Sequence, residues 1–282
     1  MKVNIILITY NHSHYIRQTL ESILMQQTEH DVEIVVADDC SPDNTLEIIK
    51  EYENKTSFSF KYLANEKNLG YVKNYQQAFA ACSGDYVTIM EGDDYWTESN
   101  HLENHIIFLE SHPECSMCFN RHVRLFEDQN REEIFDWNTD KEFELITTSQ
   151  LATGNRIGNL SCCTFRGRLI KDIDPKLFDI EIADWMLGMY MGQFGALAYI
   201  KNVTSAYRIH DNGQWSKMNE EQQNLRIIEL VNQYDKYFDY KYTKPFTKYK
   251  QGLQTLLYGD KSLKGRMKKI TPDFVKKIYR KL

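Results

Sequence analysis

The sequence has no internal repeat, no low-complexity tract and no stretch where its five prolines gather with glycines into a linker. Nothing therefore breaks the 282 residues into a string of modules, and the length suits one large domain or one domain with an appendage. Long hydrophobic runs are also missing. The longest uncharged stretch, residues 185–200, is shorter than a membrane-spanning helix and is interrupted by Gly188, Gly192, Gln193 and Gly195. A buried helix followed by a strand is expected there. The opening "MKVNIILITYN" offers one lysine and a short apolar run, too little for a secretory signal, so a cytosolic protein is expected.

Cysteine is present but in no useful pattern. The six are Cys40, Cys82, Cys115, Cys118, Cys162 and Cys163. "CSMC" followed much later by an adjacent pair is not the spacing of a zinc ribbon or finger. Without a secretory signal a disulfide framework is not expected either, which leaves reduced cysteines in strands. Positive charge is scarce outside the C-terminal end. Residues 261–282 hold nine of the 34 Lys/Arg and one of the 40 Asp/Glu, so residues 1–260 carry 25 against 39, a balance of −14. An acidic body argues against nucleic acid as the main substrate.

What is present is a globular composition, 42% hydrophobic with 13% aromatic, and a clear alternation of elements in the first half. "VNIILIT" reads as a buried strand and is followed by a helical stripe of Ile16, Leu20, Ile23 and Leu24. "VEIVVA" is a second strand, after which Ser41-Pro42 can begin a helix carrying Leu46, Ile49 and Tyr52. "FSFKYLA" and "DYVTIM" read as further strands with the helix "YVKNYQQAFAAC" between them. Alternating strands and helices imply an α/β fold, a mostly parallel sheet covered on both faces. From about Met117 the pattern loosens into strands and loops. A helix is expected near residues 184–193, and helical signals run from Asn219 to the end.

In such sheets ligands bind at the carboxyl ends of the strands. Three polar clusters fall at strand ends: "TYN" at 9–11, "DDCSPDNT" at 38–45 and "EGDD" at 91–94. Each alone is ordinary turn or capping chemistry. Together on one edge they describe a site. Along an extended exit Glu91 and Asp93 would face together and Asp94 away. Two carboxylates aimed at one point suit a hard divalent cation such as Mg²⁺ or Mn²⁺ with positions left open for water or phosphate. A solvated acidic turn is the plain alternative.

The segments "LITYNHSHYIRQTLESILMQQ", "VVADDCSPDNT", "NEKNLGYVKNYQQAF", "SGDYVTIMEGDDYW" and "SHPE" resemble, in order and spacing, the family 2 glycosyltransferases with the GT-A fold. The likeness covers residues 1–115 and resumes with "GNLSCCTFR", "ADW" and "YRIHDNGQWS". It implies a nucleotide-sugar donor, a divalent metal (Mn²⁺ or Mg²⁺) and inversion at the anomeric carbon. Carried over by position, Thr9 and Asp39 would hold the base and ribose, the alternative for Asp39 being a helix-capping or turn role, and Asp38 next door could take either job. Lys73 would lie near the donor or be a solvated lysine on a helix face. Glu91 would bond ribose or a metal-bound water, Asp94 is counted with the donor contacts, and Asp93 would be the metal ligand with His210. Asp184 matches the acceptor-activating base, with Glu181 as the fallback. Two positions depart from the commoner pattern: Glu91 stands where Asp is usual, and Ala183 precedes Asp184 where Glu is usual.

The domains implied are a catalytic domain over 1–216, with a nucleotide half to about 115 and an acceptor half beyond, and a helical extension over 217–282. UDP is the expected base, with dTDP and GDP as the other choices. A glycan or lipid-linked acceptor in bacterial surface-polysaccharide assembly is the expected partner. The alternative is a non-catalytic nucleotide- or carbohydrate-binding protein on the same fold. A P-loop enzyme would need GxxxxGK[ST], a sugar nucleotidyltransferase a basic Gly-rich loop, and a processive synthase membrane spans with Gln-x-x-Arg-Trp; none is present. In "PDFVKKIYRKL" apolar Phe274, Val275, Ile278, Tyr279 and Leu282 lie along one helical face and the basic residues largely on the other. That tail reads either as an anchor to an anionic membrane surface or as a helix packed on the domain.

Overall fold

A computed structural model describes residues 1–259 except 64, 137–139 and 212. Contacts separate it into two units, residues 1–213 and residues 214–282, against 216/217 from the sequence. The basic tail at 261–282 lies outside the described residues.

The first unit is built on a ten-stranded sheet. Strands β1 (Lys2–Thr9), β2 (Asp31–Asp38), β3 (Ser59–Tyr62) and β4 (Tyr86–Glu91) pair in the order β3-β2-β1-β4, all parallel. β1 is apolar along almost its whole length because helices cover both of its faces, so every second-residue distinction is lost. Val3, Ile5 and Leu7 join a core with Ile16, Leu20 and Ile23 of helix α1 (Ile16–Leu24) and Ile48 and Ile49 of α2 (Thr45–Lys50). Helix α2 starts three residues after the expected Pro42. The Asp43 carboxylate accepts from the Thr45 N–H and hydroxyl, which closes a turn there and delays the helix. Helix α3 (Tyr71–Ala81) fills the interval before β4, and β5 (Tyr95–Trp96) and α4 (His101–Ser111) follow it.

Beyond β4 the sheet is mixed rather than parallel. β6 (Cys115–Phe126), β7 (Arg131–Phe135), β8 (Phe143–Ile146), β9 (Cys163–Arg166) and β10 (Ala196–Ile209) complete it, with short helices α5 (Thr148–Leu151) and α6 (Gly167–Lys171) and the buried α7 (Asp184–Met191). β9 inserts antiparallel between β4 and β6, while β6 and β10 are parallel. This reversal brings residues 158–162, just before β9, up to the same edge at which β1, β2 and β4 end. α7 followed by β10 is the helix-then-strand expected of residues 185–200. Of the cysteines, Cys115, Cys118 and Cys163 are in strands; Cys82 ends α3, and Cys40 is exposed in the turn after β2.

In the second unit α8 (Glu220–Tyr237) opens with a capping box between Asn219 and Gln222, and α9 (Thr243–Tyr258) packs on it. The turn is held by Asp235, which accepts from the Thr243 hydroxyl at 2.9 and 3.0 Å. Among the described residues no helix is long and apolar enough to cross a membrane.

Candidate active site

Parallel pairing puts Thr9 opposite Asp38, and Ile8 opposite Glu91, so three strands end at one edge. The exit loops are stitched together there. The Asn11 N–H donates to Ser41 Oγ at 2.9 Å, the His12 N–H to Thr45 Oγ1 at 2.9 Å and the Ser13 N–H to Asp43 at 3.0 Å. Asn11 and Cys40 both take φ of +59°, in the left-handed region. That conformation costs a non-glycine residue about 1–2 kcal/mol, and the cross-loop bonds offset it.

The β4 exit turns tightly under this edge. A Cβ on Gly92 would lie 2.7 Å from His12 Nδ1 and 2.8 Å from Thr9 Oγ1, so glycine lets the acidic turn press against β1. Asp93 then points between two imidazoles: its Oδ2 is 3.1 Å from His210 Nε2 and 3.6 Å from His12 Nε2. Burial pushes the Asp93 carboxyl up, but the hydrogen bond from His210 and the two imidazole charges outweigh it and hold the group below its usual value. The His210 hydrogen bond to Asp93 raises the imidazole in turn, against its own burial. The Tyr15 ring backs His210 at 4.7 Å.

Asp94 turns the other way and is fully buried. It accepts from Asn159 Nδ2 at 2.8 Å, Ser161 Oγ at 2.7 Å and the Arg208 N–H at 3.0 Å. Burial and the Asp93 charge push it up to about 7, while those three donors limit the rise. Arg208, on β10, is itself buried and donates through Nη1 to the Asp93 carbonyl at 2.5 Å and through Nη2 to Gln18, with Nε 3.2 Å from Glu127. Its planar fork thus clamps the acidic turn to the end of β10. Glu91 is raised well above the ordinary carboxyl range by burial and by the charges of Asp94 and Asp93, despite the Tyr75 hydroxyl that donates to it at 3.1 Å.

Asp184 is the first residue of α7, where a carboxylate meets the positive end of the helix dipole. Asn155 Nδ2 donates to it at 2.8 Å, and the Asn155 Oδ1 accepts from the Ile157 N–H at 3.0 Å. Burial lifts the Asp184 carboxyl; the hydrogen bonds from Asn155 and from the N–H groups of Trp185 and Gly158, and the charge of Arg124, oppose the rise. Asp184 is also among the charges that raise Glu91. The base candidate and the acidic turn therefore share one electrostatic environment although 90 residues separate them in the chain.

The expected residues thus divide. Thr9, Glu91, Asp93 and His210 gather at the edge, with Asp184 within electrostatic reach of Glu91. Asp94, expected among the donor contacts, is fully buried with both carboxylate oxygens bonded internally, and Thr9 is buried as well. Asp39 is buried and accepts from the N–H groups of Leu69 and Gly70 at 2.8 and 2.9 Å, which is a turn role. Asp38 does the same for Ser41. Lys73 is exposed on the first turn of α3. Reasoning from sequence did not single out His12, Tyr75, Asn155, Asn159, Ser161 or Arg208. All of these but Asn155 lie inside motifs that carried the family resemblance, which was the available signal; Asn155 gave none.

A divalent cation fits this set. Asp93 is an ionised oxygen donor with imidazole nitrogen beside it, so Asp93 and His210 would hold the ion, and the mix of carboxylate and imidazole suits Mn²⁺ better than Mg²⁺. Among the described residues no group of three or more His, Cys, Asp or Glu encloses a metal position, so most of the coordination shell would be left to water and substrate.

Comparison with known proteins bears on the same residues. The family model described as "Glycosyl transferase family 2" matches residues 4–173. An uncharacterized protein of Mycobacterium tuberculosis is 31% identical over 216 residues, 76% of this chain and 60% of its own length. The chain thus spans about 60% of such mycobacterial relatives. An uncharacterized glycosyltransferase of Nostoc sp. is 26% identical over 249 residues, 83% of this chain and 74% of that protein. Among solved structures, Staphylococcus aureus TarS 1–349 in complex with UDP-GlcNAc superposes with a TM-score of 0.68 at 18% identity, covering 97% of this chain and 77% of that one. The mannosyltransferase PcManGT of Pyrobaculum calidifontis, in complex with GDP-Man and Mn²⁺, gives 0.65 at 17% identity over 92% of this chain and 70% of that one. With the model matched across both the strand-edge site and the β9 return, this chain belongs to glycosyl transferase family 2, on an α/β sheet of the GT-A type.

Proposed function

We propose that this protein is an inverting, metal-dependent glycosyltransferase that moves a sugar from a UDP-sugar to a hydroxyl of a glycan or lipid-linked acceptor in bacterial surface-polysaccharide biosynthesis. The observation that carries the reading is the division of labour among its carboxylates. Asp93 is kept ionised between two imidazoles, and Asp184 is a separate carboxylate on another element, with its pKa raised by burial. One group suits a cation and diphosphate, the other a proton. UDP rests on the complexes of the structural relative TarS, and surface-polymer synthesis on its name, poly(ribitol-phosphate) beta-N-acetylglucosaminyltransferase.

In this mechanism Thr9 and the turns braced by Asp38 and Asp39 form the shelf for base and ribose. Glu91, raised by burial and by the charges of Asp94 and Asp93, would bond the ribose or a metal-bound water. Asp93 and His210 would hold a divalent ion, which when bound neutralises the departing diphosphate. Asp184 accepts the proton of the acceptor hydroxyl as that oxygen attacks the anomeric carbon from the face opposite the leaving group, and inversion follows from the single displacement. Asn155 holds the carboxylate in place for the acceptor hydroxyl.

Thermal shift and donor hydrolysis against UDP-, GDP- and dTDP-sugars, each with and without Mn²⁺, test this directly. A UDP-sugar should raise Tm most, only with Mn²⁺, and should be hydrolysed slowly without acceptor. Stabilisation by no nucleotide sugar, or equal stabilisation in EDTA, would remove the reading.

A further inference from the structure

Arg124 lies on β6 directly between Tyr207 of β10 and Glu133 of β7. Residues so paired project from one face of the sheet. The natural counterion would be Glu133, but Glu133 is ion-paired with Arg131 instead. The guanidinium of Arg124 sits 4.0 Å from the centre of the Phe135 ring, and its Nε is buried with no hydrogen-bond partner among the described residues. Burial makes this charge costly, and the carboxylate that offsets part of the cost is Asp184. Asp184 does not close the gap, since one of its oxygens is held by Asn155 at 2.8 Å.

The placement is specific. A Cβ on Gly158, which has φ of +81°, would lie 2.7 Å from the Phe135 ring, so the ring that carries Arg124 packs flat under that loop. The N–H of Gly158 donates to Asn155 Oδ1 at 3.4 Å, and Asn155 Nδ2 donates to Asp184 at 2.8 Å. Arg124 and Asp184 are therefore mounted on one wall, through Phe135, Gly158 and Asn155. The carboxylate whose charge acts on Arg124 is Asp184, while Tyr207, its cross-strand neighbour, is a neutral phenol. A half-buried guanidinium, flattened on an aromatic face and lacking a carboxylate, is prepared to receive an oxyanion through its planar fork.

We propose that Arg124 forms an anion subsite for the acceptor, so that the preferred acceptor carries a phosphate or carboxylate close to the hydroxyl that Asp184 activates. This rests on the reading of Asp184 as the base. It adds a charge requirement that the base alone does not impose. A phosphodiester-linked or phosphorylated polyol and a uronic acid both supply the needed oxyanion.

The test uses the full chain with UDP and Mn²⁺ and three probes followed by saturation-transfer NMR: glycerol 3-phosphate, methyl glucuronide and methyl glucoside. At least one anionic probe should bind ten-fold or more tighter than the neutral glucoside, and which one binds distinguishes phosphate from carboxylate. Arg124→Met keeps the stacked stem without the charge and should abolish that preference; Arg124→Lys should restore part of it. UDP-dependent thermal shift should be the same in all three proteins, which also shows that the variants are folded. Equal binding of all probes to the wild type, or an anion preference that survives in Arg124→Met, overturns the proposal. So does a loss of UDP affinity in Arg124→Met, which would move Arg124 to the donor side. Failure of the base reading shows differently: Asp184→Asn would then transfer sugar normally, while the effect of Arg124 on probe binding stood.

Discussion

Asp93 and Asp94 are the same residue type at consecutive positions, yet one is held ionised and the other is lifted to about 7. The difference is a matter of partners, imidazoles for one and neutral donors for the other. Replacing Asp93 by Ala should abolish turnover and the Mn²⁺-dependent thermal shift by nucleotide while leaving the fold intact, because the side chain lies at the strand exit. Full activity of that variant, or of the wild type in excess EDTA, would show that no metal depends on it. Asp184→Asn keeps the shape but cannot take a proton, so transfer should fall by about 10²–10⁴-fold with donor binding retained. The pH profile carries a second check. A base works only when ionised, so the rate is lost as pH falls through the Asp184 pKa, which burial has raised. Asn155→Ala removes a hydrogen bond that opposes the rise, and the acidic limb of the profile should therefore move to higher pH. A limb that stays in place would disconnect Asn155 from the base.

At the scale of elements, the site depends on how the end of β10 is tied to the turn after β4. Arg208 makes that tie with its backbone N–H to Asp94, its Nη1 to the Asp93 carbonyl and its Nε beside Glu127. Lysine keeps the charge but has no fork. Arg208→Lys should cost about 2–3 kcal/mol of stability, on the scale of one or two lost charge-assisted hydrogen bonds. It should also weaken the Mn²⁺-dependent nucleotide shift, because the Asp93 turn is no longer held against His210. Chemical denaturation and thermal shift measure the two effects separately, and a variant with normal stability would show that the clamp is not needed. The antiparallel entry of β9 matters as much. It delivers Asn159 and Ser161 to Asp94, and without it the buried carboxylate would have neither donor.

At the scale of the whole chain, the first unit has a polar seam inside its core. His101 stacks on Trp96 at 4.5 Å and meets the tilted ring of His105 at 4.3 Å, and the two imidazoles meet Thr204 and Thr164 at 2.7 and 2.9 Å. Burial holds His105 down to about 3 and His101 well below its ordinary value. A depressed imidazole contributes its full stability above the unfolded value near 6.5 and loses it as pH falls toward the folded value, at about 1.4 kcal/mol per pH unit. His105→Gln removes one such group. It should be less stable than the wild type at pH 8, and the gap in Tm should narrow by pH 5; a constant gap would mean that His105 is not neutral in the fold. The basic tail makes a separate prediction from sequence. If it anchors the enzyme, the full chain should pellet with anionic vesicles at low salt, release as salt rises and lose binding when cut after residue 260, each basic residue contributing on the order of 1 kcal/mol. Equal binding by the cut protein would rule the anchor out.

The four parallel strands, their helices and the gathering of polar clusters at one edge were legible in the sequence, because buried parallel strands must be apolar runs and ligands must sit where those runs stop. The acidic turn was legible too, by its crowding. The mixed second half was not: whether β9 runs parallel or antiparallel depends on which neighbours it finds, and Cys163–Arg166 is too short and too apolar to say. The alternation of an extended exit turned Asp94 away from Asp93, but the sequence did not show what meets it there, and it left Asp39 open between a ligand contact and a turn. A carboxyl's state is set by desolvation and by donors that arrive from far along the chain, here Asn159, Ser161, Arg208 and His210. Tertiary structure alone places those donors, and so it alone decides which acid is held by neutral donors and which is kept ionised between imidazoles.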